Sequence, residues 1–249
     1  MELLLFIVLG FCAEMIDGTA GMAYGVSSNT FLRSAGVPSA VSSACVHAAE
    51  MFTTLASGIS HWRMGNVDKK LLKMLLVAGI PGGILGAWLL SSFESTTLDI
   101  IIDVYLIIMG VTIFIKGLRM AHTQRDFGAY AYPLGFVGGF TDALGGGGWG
   151  PVVTSTLLAS DHEPRVSIGT VNTAEFFVTI AETTTFVVML ESFTQYLPVV
   201  AGLIIGGVVA APLAARLCKV VPVRATLLFV GVLVVALNTY KLVFALGVI

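Results

Sequence analysis

Residues 134–154 read LGFVGGFTDALGGGGWGPVVT, an apolar run cut by four consecutive glycines, Trp149, a fifth glycine and Pro151. A continuous helix does not tolerate this, because an interior Gly costs about 1 kcal/mol and an interior Pro about 3 kcal/mol relative to Ala. Residues 9–30, LGFCAEMIDGTAGMAYGVSSNT, carry the same landmarks. Leu9-Gly10-Phe11, Asp17, Gly21 and Gly25 fall opposite Leu134-Gly135-Phe136, Asp142, Gly146 and Gly150, all at an offset of 125 residues. Ala49-Glu50 with Ala174-Glu175, Phe52 with Phe177 and Thr54 with Thr179 keep that register. Agreement at one offset over this length marks an internal duplication.

Around these stretches the chain is apolar throughout. Of 249 residues 56% are hydrophobic and 11% charged, against roughly 25% charged in a soluble domain. Mean hydropathy is +0.93, so the chain reads as an integral membrane protein without a separate soluble domain. A net charge of −2 excludes the basic face a nucleic-acid partner requires. Cys12, Cys45 and Cys218 are far apart, with no CxxC and no His at ligand spacing; neither a metal nor a disulfide framework is signalled. Glu2 stands where a signal peptide needs positive charge, so the N-terminal segment is read as retained.

Apolar runs at 2–34, 39–60, 70–92, 98–119, 131–160, 166–190, 196–216 and 222–246 make eight segments in two sets of four. They divide the chain into a first repeat at 1–120, a linker at 121–130 and a second repeat at 131–249. Glycines recur in the third segments too, Gly79, Gly82, Gly83 and Gly86 against Gly202, Gly206 and Gly207, at spacings that suit close helix packing. The first segment of each repeat is too long for one crossing, which takes ~20 residues. Broken at 17–21, its arms reach only ~22 Å (2–16) and ~18 Å (22–33) at 1.5 Å per residue. The expected fold is therefore all-α and polytopic: two inverted repeats, each with a broken, re-entrant hairpin and three transmembrane helices. Such irregular backbone is tolerated at membrane depth only when buried in protein.

Charge placement points the same way. Arg63, Lys69, Lys70 and Lys73, then Lys116, Arg119 and Arg125, then Arg216, Lys219 and Arg224 form basic clusters, while Glu94, Asp99 and Glu191 mark the opposite side. The positive-inside rule holds for all of them only if 131–160 enters and leaves on one side, with Arg165 inside. Both termini are then extracellular or periplasmic, and the two tips enter from opposite faces to meet near the midplane.

Glycine tips leave backbone N–H groups free, and a helix beginning at Pro151 would aim its positive end at the centre, an arrangement suited to an anion. Candidate anion contacts are Gly21, Ser27, Ser28, His47, Gly145, Gly146, Gly147, Gly148 and Asn172. The competing role for the glycines is tight packing alone. Asp17 and Asp142 precede the tips and suit either capping of the loops or transport. Glu50 and Glu175 lie within apolar helix with nothing to cap, and Glu14, His47 and Glu182 are ionisable residues nearby; Glu50 and Glu175 are the candidate proton-coupling groups, with buried hydrogen-bonded structure as the alternative. His61, Trp62 and Arg63 read as an interfacial belt and His162 as a loop residue. No phosphate loop, cofactor motif, nucleophile–base pair or metal-ligand pair stands out, so neither ATP hydrolysis nor enzyme chemistry is expected.

The duplicated LGF…DGTAGMAYG and GFTDALGGGGWGPVVT, each followed by an Ala-Glu pair, resemble the TauE/SafE sulfite exporter family over essentially the whole chain. The resemblance implies secondary transport, with export the favoured direction, of a small sulfur-containing anion such as sulfite, sulfoacetate or thiosulfate across a bacterial cell (inner) membrane. Partners are then the anion, protons and the lipid bilayer, with a homo-oligomer compatible. Uniport driven by membrane potential competes with proton coupling, and an anion or proton channel is the alternative class.

The charge argument makes a topological prediction. With Cys12, Cys45 and Cys218 removed, single cysteines at Ser92 and Ser192 should react with impermeant thiol reagents from outside, and one at Thr123 only from inside. Labelling of position 192 from the cytoplasmic side contradicts the inverted arrangement.

Overall fold

A computed structural model describes residues 2–20, 24–93, 96–118, 128–147, 149–158, 164–191, 193–217 and 223–246. Apolar runs punctuated by Gly and Pro become ten α-helices among these residues, with no strand. In the first half they are α1 (Glu2–Ala20), α2 (Tyr24–Ser34), α3 (Ser39–Arg63), α4 (Lys69–Ser92) and α5 (Thr96–Leu118). A 3₁₀ turn, Gly128–Tyr130, leads into α6 (Ala131–Gly145), and a π-helical stretch, Trp149–Thr154, runs into the short α7 (Ser155–Leu158). Then follow α8 (Pro164–Met189), α9 (Leu197–Leu217) and α10 (Val223–Ala245).

Spans within Lys69–Ser92, Thr96–Ile115, Phe193–Ala210 and Leu227–Ala245 are long and apolar enough by themselves to cross a bilayer. Helices α3 and α8, with 25 and 26 residues, are about 37–39 Å long at 1.5 Å per residue. Their hydropathy is lowered by polar residues that face inward: Ser42, Ser43, His47, Glu50 and Thr54 on α3, Thr170, Thr173, Thr179 and Glu182 on α8 are all buried. Large apolar side chains are exposed on their outer faces, Phe52, Leu55 and Ile59 on α3 and Phe177, Val187 and Val188 on α8. Polar groups inside and apolar groups outside is the arrangement that lipid imposes.

Helix pairing follows the sequence repeat. The first helix of each half packs mainly on the long fourth element of the other: α1 lies along α9, and α6 along α4. Helix α3 pairs with its counterpart α8, and α5 with α10. The halves therefore interlock. Glycines make this possible where lipid supplies no hydrophobic drive between helices. A Cβ on Gly82 would stand 2.3 Å from the Phe136 carbonyl oxygen, one on Gly139 2.3 Å from that of Gly79, and one on Gly206 2.1 Å from that of Ile7.

Loops at one end of the bundle join α3 and α4 to the start of α8. Asp68 caps α4 through Lys70 N (2.8 Å) and Leu71 N (3.1 Å), and its own N–H donates to Thr170 Oγ1 at 2.9 Å. At the other end, the last turn of α2 meets the start of α5 and the end of α10. Arg33 Nη1 lies 2.6 Å from Asp103 Oδ1, Arg33 Nε donates to Ser39 Oγ (2.9 Å), and Lys241 Nζ donates to the Arg33 carbonyl (3.2 Å).

Two boundaries differ from the sequence expectation. The first break was expected at 17–21, yet α1 continues through Asp17 to Ala20 and α2 begins at Tyr24, with residues 21–23 outside the described set. Asp17 stays helical because its carboxylate reaches forward to Tyr24 N, seven residues on, instead of capping its own neighbours. The returning arm of the second break begins at Trp149, two residues before Pro151, and its first turns are π-helical. The same forward cap, from Asp142 to Trp149 N, fixes that start. The 121–130 linker is described only from Gly128 onward.

Adjacent glycines of α9 give a discriminating test. Gly206 touches the backbone of α1, whereas a Cβ on Gly207 would have nothing nearer than 3.9 Å. Gly206→Ala should cost about 1–3 kcal/mol through overpacking, lowering the midpoint of thermal unfolding in detergent, while Gly207→Ala should leave it near that of the parent.

Candidate functional site

The two broken hairpins meet. Asp17 Oδ1 accepts the Tyr24 N–H at 3.1 Å, and Asp142 Oδ1 accepts the Trp149 N–H at 3.1 Å. These are one interaction made twice at the repeat offset. Each carboxylate holds the first N–H of a returning segment that has no intrahelical partner. Helix α6 ends at Gly146, whose φ of 64° is left-handed and whose N–H donates to the Asp142 carbonyl at 2.7 Å. Glycine suits that conformation because it has no Cβ. Opposite it lies the start of α2: a Cβ on Gly25 would stand 2.0 Å from the Gly146 oxygen, and one on Gly147 2.2 Å from Val26 N. The tips thus touch backbone to backbone, and glycine at 25, 146 and 147 is required for that approach.

Side chains from α2 and α3 satisfy the carbonyls that α6 leaves free. Asn29 Nδ2 donates to the Gly145 carbonyl and Ser43 Oγ to that of Ala143, both at 2.5 Å, while Asn29 Oδ1 accepts from Ser42 Oγ. Trp149 is fully buried and donates its indole N–H to the Val171 carbonyl at 3.1 Å. Tyr105 of α5 lies against Gly145, where a Cβ would come within 2.3 Å of its ring. Ser27 is buried on α2 with a hydroxyl that no group among the described residues pairs, and Ser28 lies beside the Tyr24 hydroxyl.

Behind the second tip sits an ionisable cluster. His47 Nε2 lies 3.0 Å from Glu182 Oε2 and 3.5 Å from Asp142 Oδ2, with all three side chains at 1% exposure or less. The three donor atoms lie within 4.8 Å of one another, compact enough to hold a proton or a small cation between them. His47 Nδ1 is 2.7 Å from the Ser43 carbonyl, and the Phe186 ring stacks on the imidazole with centroids 6.1 Å apart. Glu50, buried one turn further along α3, is within electrostatic reach of His47, Asp17, Asp142 and Glu182. Glu175 on α8 is within reach of Glu50, Asp17, Asp142 and Glu182, and Glu14 of Asp17. Six carboxyl groups and one imidazole thus share an interior where two unit charges 4 Å apart interact by about 4 kcal/mol even at an effective dielectric constant of 20. They cannot all be ionised at once.

Of the residues singled out from the sequence, the structure gathers Asp142, Gly145, Gly146, Gly147 and His47 around one tip, with Asp17, Glu50 and Glu175 close by. Ser27 and Ser28 line the other tip. Asn172 is elsewhere engaged, donating to Ser57 Oγ at 2.6 Å. Gly21 and Gly148 lie outside the described residues, as does His162. Sequence reasoning passed over Asn29, Ser42, Ser43 and Tyr105. Their one sequence signal is polarity within apolar runs, which carries no partner information. Arg33 and Lys241, absent from the charge argument, stand at the Asp99 end; Arg33 is neutralised there by Asp103 and lies 3.7 Å from Asp99. An Arg inside an apolar run is the signal that could have found this pairing.

Comparison with known proteins now identifies the architecture. Residues 6–240 match the family described as Sulfite exporter TauE/SafE. The chain is 37% identical over 250 residues to "Probable membrane transporter protein YtnM" of Bacillus subtilis (strain 168), covering 97% of this chain and 83% of that protein. No solved structure matches. A multi-pass helical protein with two interlocked broken hairpins, matched along nearly its whole length, the chain belongs to the TauE/SafE sulfite exporter family of membrane transporters.

Proposed function

We propose that this protein is a secondary exporter of a small sulfur-containing anion, sulfite, sulfoacetate or thiosulfate, bound where the two glycine tips meet and coupled to protons through Glu50 and Glu175. The observation that carries the reading is the contact of Gly25 and Val26 with Gly146 and Gly147 beside the Ser27 hydroxyl, which no group among the described residues pairs. Backbone N–H groups and a hydroxyl are the donors an oxyanion needs, and glycine lets the backbone approach it. The family description supports the substrate class and the direction.

The surrounding carboxyl groups make protons part of binding. An anion entering beside Asp17, Asp142, Glu50 and Glu175 is repelled by every ionised one, so anion and proton bind together, and export of the pair is driven by the anion's own concentration gradient rather than by proton entry. On this reading the repeats are inverted, the Arg63–Lys73 end is cytoplasmic and both termini are outside; the bond from Asp68 N to Thr170 Oγ1, which ties the start of α8 to the end bearing that basic cluster, supports it.

In proteoliposomes, radiolabelled sulfite, sulfoacetate and thiosulfate should show saturable flux with counter-transport; flux lacking both would indicate a channel. If one proton binds with each anion, thiosulfate affinity should rise about tenfold per pH unit of acidification, since one unit corresponds to 1.36 kcal/mol. Stability of the anion complex is then greatest at low pH and lost as pH rises. Glu50→Gln or Glu175→Gln fixes a neutral side chain, and one of them should abolish acceleration by a pH gradient while leaving exchange at equal pH largely intact. Exchange and gradient-driven flux falling together would mark a structural carboxylate, and a full gradient effect in both variants would point to transport driven by membrane potential alone.

A further inference from the structure

The repeat offset exposes an asymmetry at the ionisable cluster. His47 corresponds to Asn172, and Glu182 corresponds to Ser57. Each pair is made across the halves in the structure: His47 Nε2 with Glu182 at 3.0 Å, and Asn172 Nδ2 with Ser57 at 2.6 Å. One contact has thus been built twice, once from ionisable groups and once from neutral ones.

Geometry assigns the protons. The Ser43 carbonyl 2.7 Å from His47 Nδ1 can only accept, so Nδ1 carries hydrogen. Nε2 then faces two carboxylates, at 3.0 and 3.5 Å. A bare nitrogen lone pair against carboxylate lone pairs, fully buried under the Phe186 ring, would be repulsive; one proton on this side turns the contact into an attractive ion pair. An imidazolium between two carboxylates leaves one net negative charge, which a second proton cancels. Groups facing the cluster are Glu50 on α3 itself, Glu175 on α8, Asp17 on α1 and the Tyr105 hydroxyl of α5 beside Asp142. Tyr24 of α2 and Glu14 of α1 lie next around Glu50 and Asp17.

The same cluster grips the tip. Asp142 turns one oxygen to His47 and the other to the Trp149 N–H. Adding a proton to the cluster weakens the carboxylate's hold on that N–H, and Trp149 heads the segment that follows the glycines touching α2. We propose that His47, Asp142 and Glu182 form a shared-proton switch acting on the second glycine tip, with no counterpart histidine at the first, so that the two tips respond unequally to protons. The switch is independent of the transport reading for its existence and rests on it only for its use in coupling.

Trp149 supplies the readout. Of the three tryptophans, Trp62 and Trp88 are exposed on the apolar surface and can be changed to Phe, leaving Trp149 alone in the full-length protein in nanodiscs. Its emission should titrate between pH 5 and 9. His47→Asn with Glu182→Ser, which copies the neutral pair at the related position, should abolish the titration, while Glu50→Gln should shift its midpoint and keep it. Should the double variant not run as a single species on size exclusion, His47→Gln with Glu182→Gln, which removes both titrating side chains and keeps their bulk, provides the same test. A parent emission that does not titrate, a titration that survives the loss of both His47 and Glu182, or a stoichiometric metal ion whose chelation removes the pH response would overturn the proposal. Thiosulfate binding, measured separately, keeps the readings apart: binding with a silent Trp149 defeats the switch alone, and a titrating Trp149 without binding of any sulfur anion defeats the transport reading alone.

Discussion

A helix that stops inside a membrane leaves backbone N–H and C=O groups with no water to pair them. Four such ends meet at the centre of this protein, and the core is built from their satisfaction. Asp17 and Asp142 reach forward to the first N–H of each returning segment. Asn29 and Ser43 supply donors to the last carbonyls of α6. With those groups paired inside, the outer faces of α3 and α8 are free to be apolar.

Close contact between halves follows from the same constraint. Side chains from α2 and α3 can reach the end of α6 only if the tips touch, which requires Gly25, Gly146 and Gly147. The hairpins can lie so near one another only if their supporting helices come together as well. Hence the backbone contacts of α6 on α4 and of α1 on α9, each at glycines. Capping and packing are therefore joint uses of the glycines, and an anion site at the tips would inherit a scaffold that already holds backbone donors in place.

Charge is distributed unevenly along the fold. The end bearing Arg33 neutralises its buried guanidinium with Asp103 and gives its Nε–H an acceptor in Ser39 Oγ. The centre does the reverse and concentrates carboxyl groups around one histidine. A buried charge without a partner is costly, so protons or a bound ion must balance that excess.

Much of the architecture is legible in the sequence because a duplication repeats its punctuation. Single glycines at the breaks, the aspartates and the Ala-Glu pairs recur at one offset, and local rules for glycine, proline and lipid exposure then yield two broken hairpins and an all-helical membrane protein. The position of each break is less legible: Asp17 looks like a helix breaker until its partner, Tyr24 N, is known. Glu182 was visible only as an ionisable residue in an apolar run. Its pairing with His47, 135 positions away, and the neutral twin formed by Asn172 and Ser57, were decided by tertiary structure. Sequence carries what depends on near neighbours and periodicity; these contacts arise where α3 crosses α8 and α6, and no local preference records which side chains a crossing will bring together.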